Sequence, residues 1–263
     1  MATTPDGAAM TWEVTGNHYL AVPCVSPRDG GIHRLNVLHR GALGLLEWAS
    51  DRGAASPSGE PLLAPEVREE GRILELGEPA WERLERWIPR FRAEPEAGLV
   101  LRGTLCAPGG GELMLPGAVY ALEIENRTDR DRVLEVGLAG TWRWALRTVE
   151  TSRPLDAPNR VACGGVAVPG LVLELGGEPG LAALGVVASG GDVSLEAAAA
   201  DRPLRALAEG EDVAVENGRP LRVRIARRVR VGKGKRAAVA FFLGVAVERD
   251  GALARADALR TTG

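Results

Sequence analysis

The stretch that most constrains the fold runs from Tyr120 to Trp144, where two alternating segments flank a short polar run. Tyr120, Leu122 and Ile124 alternate with small or acidic residues. Beyond the polar run, Leu134, Val136, Leu138 and Gly140 share one face and Val133, Glu135, Gly137 and Ala139 the other, the period of two that a half-buried strand needs. Asn126 to Asp131 is polar and charged, and Asn and Asp side chains can bond nearby backbone and close a turn. The pattern predicts a β-hairpin at the centre of an antiparallel sheet.

Similar signals recur along the chain. They predict opening strands at 11–15 and 19–25 around the tight-turn pair Gly16-Asn17, and two short strands within 32–48, where Gly41 and Gly44 disfavour a helix. Further strands are predicted at 72–76, 80–91, 99–107, 171–175, 182–188, 193–197, 213–215, 221–231 and 237–247. Pro79 and Pro89 leave little room for the helix that 81–87 would form on propensity alone. Loops are expected at 51–65 and 149–160. In 221–231, arginines 222, 224 and 230 interleave with valine and isoleucine, which reads as an exposed face resisting edge pairing; Arg227-Arg228 suggests a bulge. The final strand is apolar enough to be buried on both faces, and a helix begins after Gly251. Short strands at regular spacing, joined by Gly and Pro turns, indicate an all-β fold, a large antiparallel β-sandwich. The expected layout is a flexible leader at 1–10, one sandwich domain at 11–250 and the start of a helix at 251–263.

Composition narrows the function. A net charge of -3 gives no reason to expect nucleic acid. No apolar segment approaches membrane-spanning length, and the amino terminus lacks a secretory pattern, so the expectation is a cytoplasmic protein with no membrane partner. Cys24, Cys106 and Cys163 are odd in number and far apart, which supports neither a disulfide framework nor a zinc site.

Three stretches, in order, resemble the amino-terminal β-sandwich of glycoside hydrolases and phosphorylases with an (α/α)6 barrel, the amylo-alpha-1,6-glucosidase, glucoamylase and cellobiose phosphorylase types. They are 36–51, then 84–91 with 99–108, then 120–144. The resemblance implies a supersandwich of the galactose-mutarotase-like kind, with the segment after Gly251 as the start of a linker helix. It also implies that the catalytic carboxylates belong to a helical barrel, as a further domain or a partner subunit, and that this chain has no catalytic residues or cofactor of its own. Its work would be to pack on that barrel and help shape a cleft for an oligo- or polysaccharide.

Trp142-Arg143-Trp144 is the most suggestive cluster, because indoles stack on sugar rings and a guanidinium can bond hydroxyls or carboxylates. The competing reading places these tryptophans in the core. Trp87, with Trp81, has a similar claim. His18, His33 and His39 match no metal signature, so no metal is expected. Two rivals remain: a mutarotase-like epimerase drafting His33 or His39 with Glu123 or Glu125 as acid and base, and a stand-alone glycan-binding module using Trp142 and Trp144. The carboxylate pair Glu69-Glu70 suggests glycoside hydrolysis only superficially, and Gly232-Lys233-Gly234-Lys235 reads as a hairpin turn rather than a phosphate loop.

Overall fold

A computed structural model describes residues 11–39, 44–50, 59–109, 115–150, 153–155, 160–166, 170–176, 182–216 and 218–262. The expected leader at 1–10 and most of the loop expected at 51–65 lie outside these residues.

The amino-terminal strands are β1 (Glu13–Gly16), β2 (Leu20–Val25), β3 (Ile32–His39) and β4 (Gly44–Ala49). Next come β5 (Ala64–Glu69), β6 (Arg72–Ile73), β7 (Ala80–Leu84), β8 (Ile88–Glu96) and β9 (Leu99–Cys106). The middle of the chain forms β10 (Gly117–Asn126), β11 (Arg132–Trp142), β12 (Trp144–Glu150), β13 (Arg153–Leu155), β14 (Arg160–Val166), β15 (Gly170–Gly176) and β16 (Ala182–Ala188). The chain continues through β17 (Val193–Ala199), β18 (Arg205–Ala206), β19 (Asp212–Glu216), β20 (Leu221–Val231) and β21 (Arg236–Ala246) into α1 (Arg249–Thr262).

These strands make a nine-stranded sheet, β19-β14-β15-β16-β21-β10-β9-β8-β7, and two six-stranded sheets, β1-β2-β3-β4-β12-β13 and β18-β17-β20-β11-β5-β6. All ladder pairs are antiparallel, and one hydrophobic core draws side chains from all three sheets. The fold is the expected large antiparallel sandwich, with one carboxyl-terminal helix. α1 buries Ala252, Leu253, Ala256 and Leu259 on the outer face of the nine-stranded sheet, which is why β21 is covered on both sides. It lies close because the sheet offers glycine there: a Cβ on Gly244 would stand 2.4 Å from the Ala256 nitrogen.

The central pair departs from expectation. β10 and β11 are not a hairpin: β10 pairs with β9 and β21, while β11 pairs with β20 and β5 in the opposite layer. The intervening segment is an arch that carries the chain across the core. Tyr120, Leu122 and Ile124 therefore belong to the layer facing Leu134, Val136 and Leu138, instead of lying beside them, and both triplets are buried. The turn at 232–235 is likewise an arch, from β20 to β21. Asn126 joins the two arches. Fully buried, it donates from Nδ2 to the carbonyls of Arg130 (2.8 Å) and Val231 (2.9 Å) and accepts at Oδ1 from the Thr128 backbone (3.0 Å). Asp131 adds a bond from the Lys233 backbone nitrogen at 3.0 Å.

Other differences are local. β5 falls where the sequence reads as loop and connection, because Pro65 breaks the pattern; β6 pairs only with Arg68 and Glu69, so the proline lies beyond the reach of that ladder. The strand expected at 72–76 contracts to β6, and the region 149–160 contributes the end of β12, β13 and the first residue of β14. β20 has no bulge: its register on β11 runs unbroken from Leu221 to Val231. Nor is β20 an edge, since it lies between β17 and β11.

Candidate functional site

The tryptophan cluster divides. Trp142 ends β11 and is 1% exposed, packed edge-to-face on Trp48 with ring centroids 5.8 Å apart. It is core, and its indole N–H has no hydrogen-bond acceptor among the described residues. Trp144 begins β12 in the neighbouring sheet, so the two indoles do not form one platform. Arg143 between them is exposed and accepts, through its carbonyl, a bond from the Gly218 nitrogen at 2.7 Å. The Trp144 indole lies against Gly218, where an added Cβ would meet Cη2 at 2.7 Å. Trp87 stands 45% exposed at the β7–β8 turn, and Trp81 is anchored through its N–H to the Pro27 carbonyl at 2.7 Å.

The groups drafted for acid–base chemistry are engaged separately. His33 is buried on β3, its Nδ1 is 3.2 Å from the Ser50 hydroxyl, and its ring meets Trp12 edge-on. Burial holds its pKa below the usual histidine value, and Asp29 partly opposes that. Glu123 and Glu125 belong to the nine-stranded sheet and take the Arg102 fork at 2.7 and 2.9 Å. The Arg127 and Arg102 bonds hold the Glu125 pKa down at about 2. His39 is described only in its backbone, and His18 is exposed. Glu69 is bound to Arg132, which also takes Glu96 of the other layer at 2.8 Å, while Glu70 sits at φ 51 in the β5–β6 turn. Among the described residues no group of His, Cys, Asp or Glu is arranged to hold a metal ion.

The arginines of β20 are not one exposed ladder. Arg224 is 1% exposed and surrounded by three carboxylates, Glu66 (2.7 Å), Glu135 (2.6 Å) and Glu196 (2.6 Å), from β5, β11 and β17. Register explains the reach: Ala226 and Gly137 are cross-strand partners, as are Ala139 and Arg224, so small residues leave room above the sheet. Arg224 has all its forks occupied and is structural. Glu66 also lines a 310 Å³ pocket bounded by Arg28, Asp29 and Ile73 to Gly77.

The larger cavity is an open cleft of about 980 Å³. It runs along β19, an edge of the nine-stranded sheet, and all of Asp212 to Glu216 line it, from both faces of the strand. The opposite wall is the end of β17 with the turn Asp201-Arg202-Pro203, and Arg219-Pro220 closes one side. Val213 and Val215 pack towards the core, and Ala198, Ala199 and Ala214 add an apolar floor. Arg160, Arg202, Arg205 and Arg219 stand around it. Arg205 is paired with Glu211, whose pKa is lowered by the Ala208 backbone N–H and by that arginine. Asp212 is bound by Arg249 at 2.6 Å. Arg143 and Trp144 touch the Gly218 turn next to Arg219, but neither of them nor Trp142 lines the cleft. Sequence reasoning missed the four arginines. Two precede proline, which holds a residue extended, but nothing local says that 160, 202, 205 and 219 converge.

Chemically, the cleft offers an apolar floor for C–H faces, an unpaired strand edge for hydroxyls and guanidinium forks for oxygen pairs. Among the described residues it is lined by no histidine, and its carboxylates are Asp201, Glu216 and the Arg249-bound Asp212.

No family model matches the chain, and no curated protein matches it in sequence. Solved structures match in fold. An Escherichia coli K12 protein provisionally named an aldose 1-epimerase aligns with a TM-score of 0.51 at 9% identity, over 91% of this chain and 100% of that one. A human-microbiome protein provisionally named a kojibiose phosphorylase aligns with a TM-score of 0.50 at 11% identity, over 95% of this chain but 32% of its own length. The chain thus spans the whole of one similar structure and about a third of the other. It is an all-β sandwich with one carboxyl-terminal helix, of the galactose-mutarotase-like fold.

Proposed function

We propose that this chain is a non-catalytic, carbohydrate-binding sandwich domain of a carbohydrate-active enzyme, working beside an (α/α)6 catalytic domain or subunit and contributing its β19 cleft to the handling of an oligo- or polysaccharide. The observation that carries this reading is that nearly the whole chain aligns with about a third of the phosphorylase-named protein. Its unpaired cysteines suit a reducing, cytoplasmic setting. The test is to purify the protein from its source and identify what it is joined to or associated with. A helical barrel with paired carboxylates is the expected finding; glycoside hydrolysis by this chain alone would overturn the reading.

A second reading, a sugar epimerase, is favoured by the full-length alignment with the epimerase-named protein. The positions of His33, Glu123 and Glu125 argue against it. Polarimetry of fresh glucose and galactose decides: the expected trace with the protein present follows the uncatalysed one, and an accelerated approach to equilibrium would establish the rival.

A further inference from the structure

The charges around the β19 cleft are unevenly satisfied. Of its lining arginines, Arg205 is taken by Glu211, and of its carboxylates, Asp212 is taken by Arg249, which also holds Glu174 at 2.6 Å. That leaves Arg160, Arg202 and Arg219, none with a side-chain ion pair among the described residues, against Asp201 and Glu216. Glu216 is the register partner of Arg160 across the β14–β19 ladder, yet the two are not joined. Elsewhere the described arginines are mostly committed, as at Arg102, Arg132, Arg224 and Arg249. Three guanidiniums without a side-chain ion pair among the described residues thus stand on three different segments around one trough.

A guanidinium fork matches the paired oxygens of a carboxylate or phosphate, and a neutral sugar hydroxyl uses only part of it. The alanine, valine and proline floor takes a ring's C–H face, and the open edge of β19 supplies backbone donors and acceptors. We infer that the cleft's ligand is an anionic saccharide, a sugar carrying carboxylate or phosphate, whose charge is read by Arg160, Arg202 and Arg219. This rests on the carbohydrate reading above and names the class of sugar.

The experiment is isothermal titration of the full chain, at constant ionic strength, with trigalacturonate, glucose 6-phosphate, inorganic phosphate, and the neutral sugars maltotriose and glucose. The expected result is that one anionic sugar binds at least tenfold more tightly than its neutral comparison and than inorganic phosphate; whether it is the uronate or the phosphate identifies the anion. Each single substitution, R160Q, R202Q or R219Q, should weaken that binding about tenfold, the loss expected for one charge-assisted hydrogen bond. The three residues are exposed, so an unchanged melting temperature certifies that the variants fold. Two results overturn the inference: equal affinity for charged and neutral sugars, or anion binding that survives the triple substitution. If neutral maltotriose binds and the triple variant still binds it, the anionic ligand is lost while the carbohydrate role stands. If no sugar binds, the anionic ligand and the cleft's role fall together, and association with a helical barrel is still decided separately by purification.

Discussion

Arg224 shows what a single side chain can hold together here. Its guanidinium joins carboxylates of β5, β11 and β17 from its place on β20, so four strands of one sheet meet at one buried cation. Removing the cation leaves Glu66, Glu135 and Glu196 facing one another with no counter-charge. Arg224→Ala should cost roughly 3–5 kcal/mol in urea unfolding, the scale for breaking a buried pair. A loss below about 1 kcal/mol would show that the cluster behaves as a surface pair. Asn126 plays a comparable part with neutral groups: Asn126→Leu would strip the partners from the Arg130 and Val231 carbonyls, at about 1–3 kcal/mol for each group left unsatisfied. Thiol chemistry gives a third check. Burial pushes the Cys163 pKa up to about 12, so a thiol reagent at pH 8 should leave it unmodified in the native protein and label it only after denaturation.

Elements are arranged by close approach as much as by apolar pattern. α1 can lie on β16 and β21 because Gly185 and Gly244 present no side chain beneath it; a Cβ on Gly185 would meet the Ala252 carbonyl carbon at 2.8 Å. Gly244→Val should therefore lift the helix, lowering the melting temperature and speeding amide exchange in Ala252 to Leu259, while conservative changes on its exposed face should not. The β7–β8 turn has the opposite character: Glu85 and Arg86 both hold positive φ, at 50° and 68°, where side chains are disfavoured. Arg86→Gly is expected to stabilise the fold by about 0.5–1 kcal/mol by relieving that conformation. This turn also shows what was legible. Pro79 and Pro89 correctly argued against a helix at 81–87, but the single strand expected over 80–91 is two strands, β7 and β8, joined by a turn at 85–87. Nothing local signalled that β10 and β11 part company, because an arch and a hairpin use the same polar residues between the same alternating strands.

At the scale of the whole molecule, the many arginine–carboxylate bonds make stability depend on acid. The folded pKa of Glu125 is about 2 against an ordinary 4.5, and Glu96, Asp131 and Glu211 are also held low by their arginine or backbone partners. Groups depressed in the folded state stabilise it fully above their unfolded pKa, and that contribution is lost as pH falls towards the folded value. The urea midpoint should drop between about pH 4.5 and pH 2, and Glu125→Gln should flatten part of that drop. His33 adds an earlier loss: below its ordinary 6.5 the unfolded chain takes a proton that the buried ring resists, so stability begins to fall there. His33→Gln should remove this first phase.

The sequence alone determined that the chain would form short antiparallel strands with one apolar face, a sandwich and a terminal helix, because side-chain alternation and Gly/Pro punctuation are properties of neighbouring residues. It also showed, through Trp142, why aromatic clusters mislead: a strand's inward face and a ligand platform carry the same residue types. Only the tertiary structure decided that β10 and β11 face each other across the core and that Arg224 is enclosed by acids from three strands. The same holds for Arg160, Arg202 and Arg219, which surround one cleft. Those facts depend on which strands become neighbours, and long-range pairing is settled by the packing of the entire core, which no local pattern encodes.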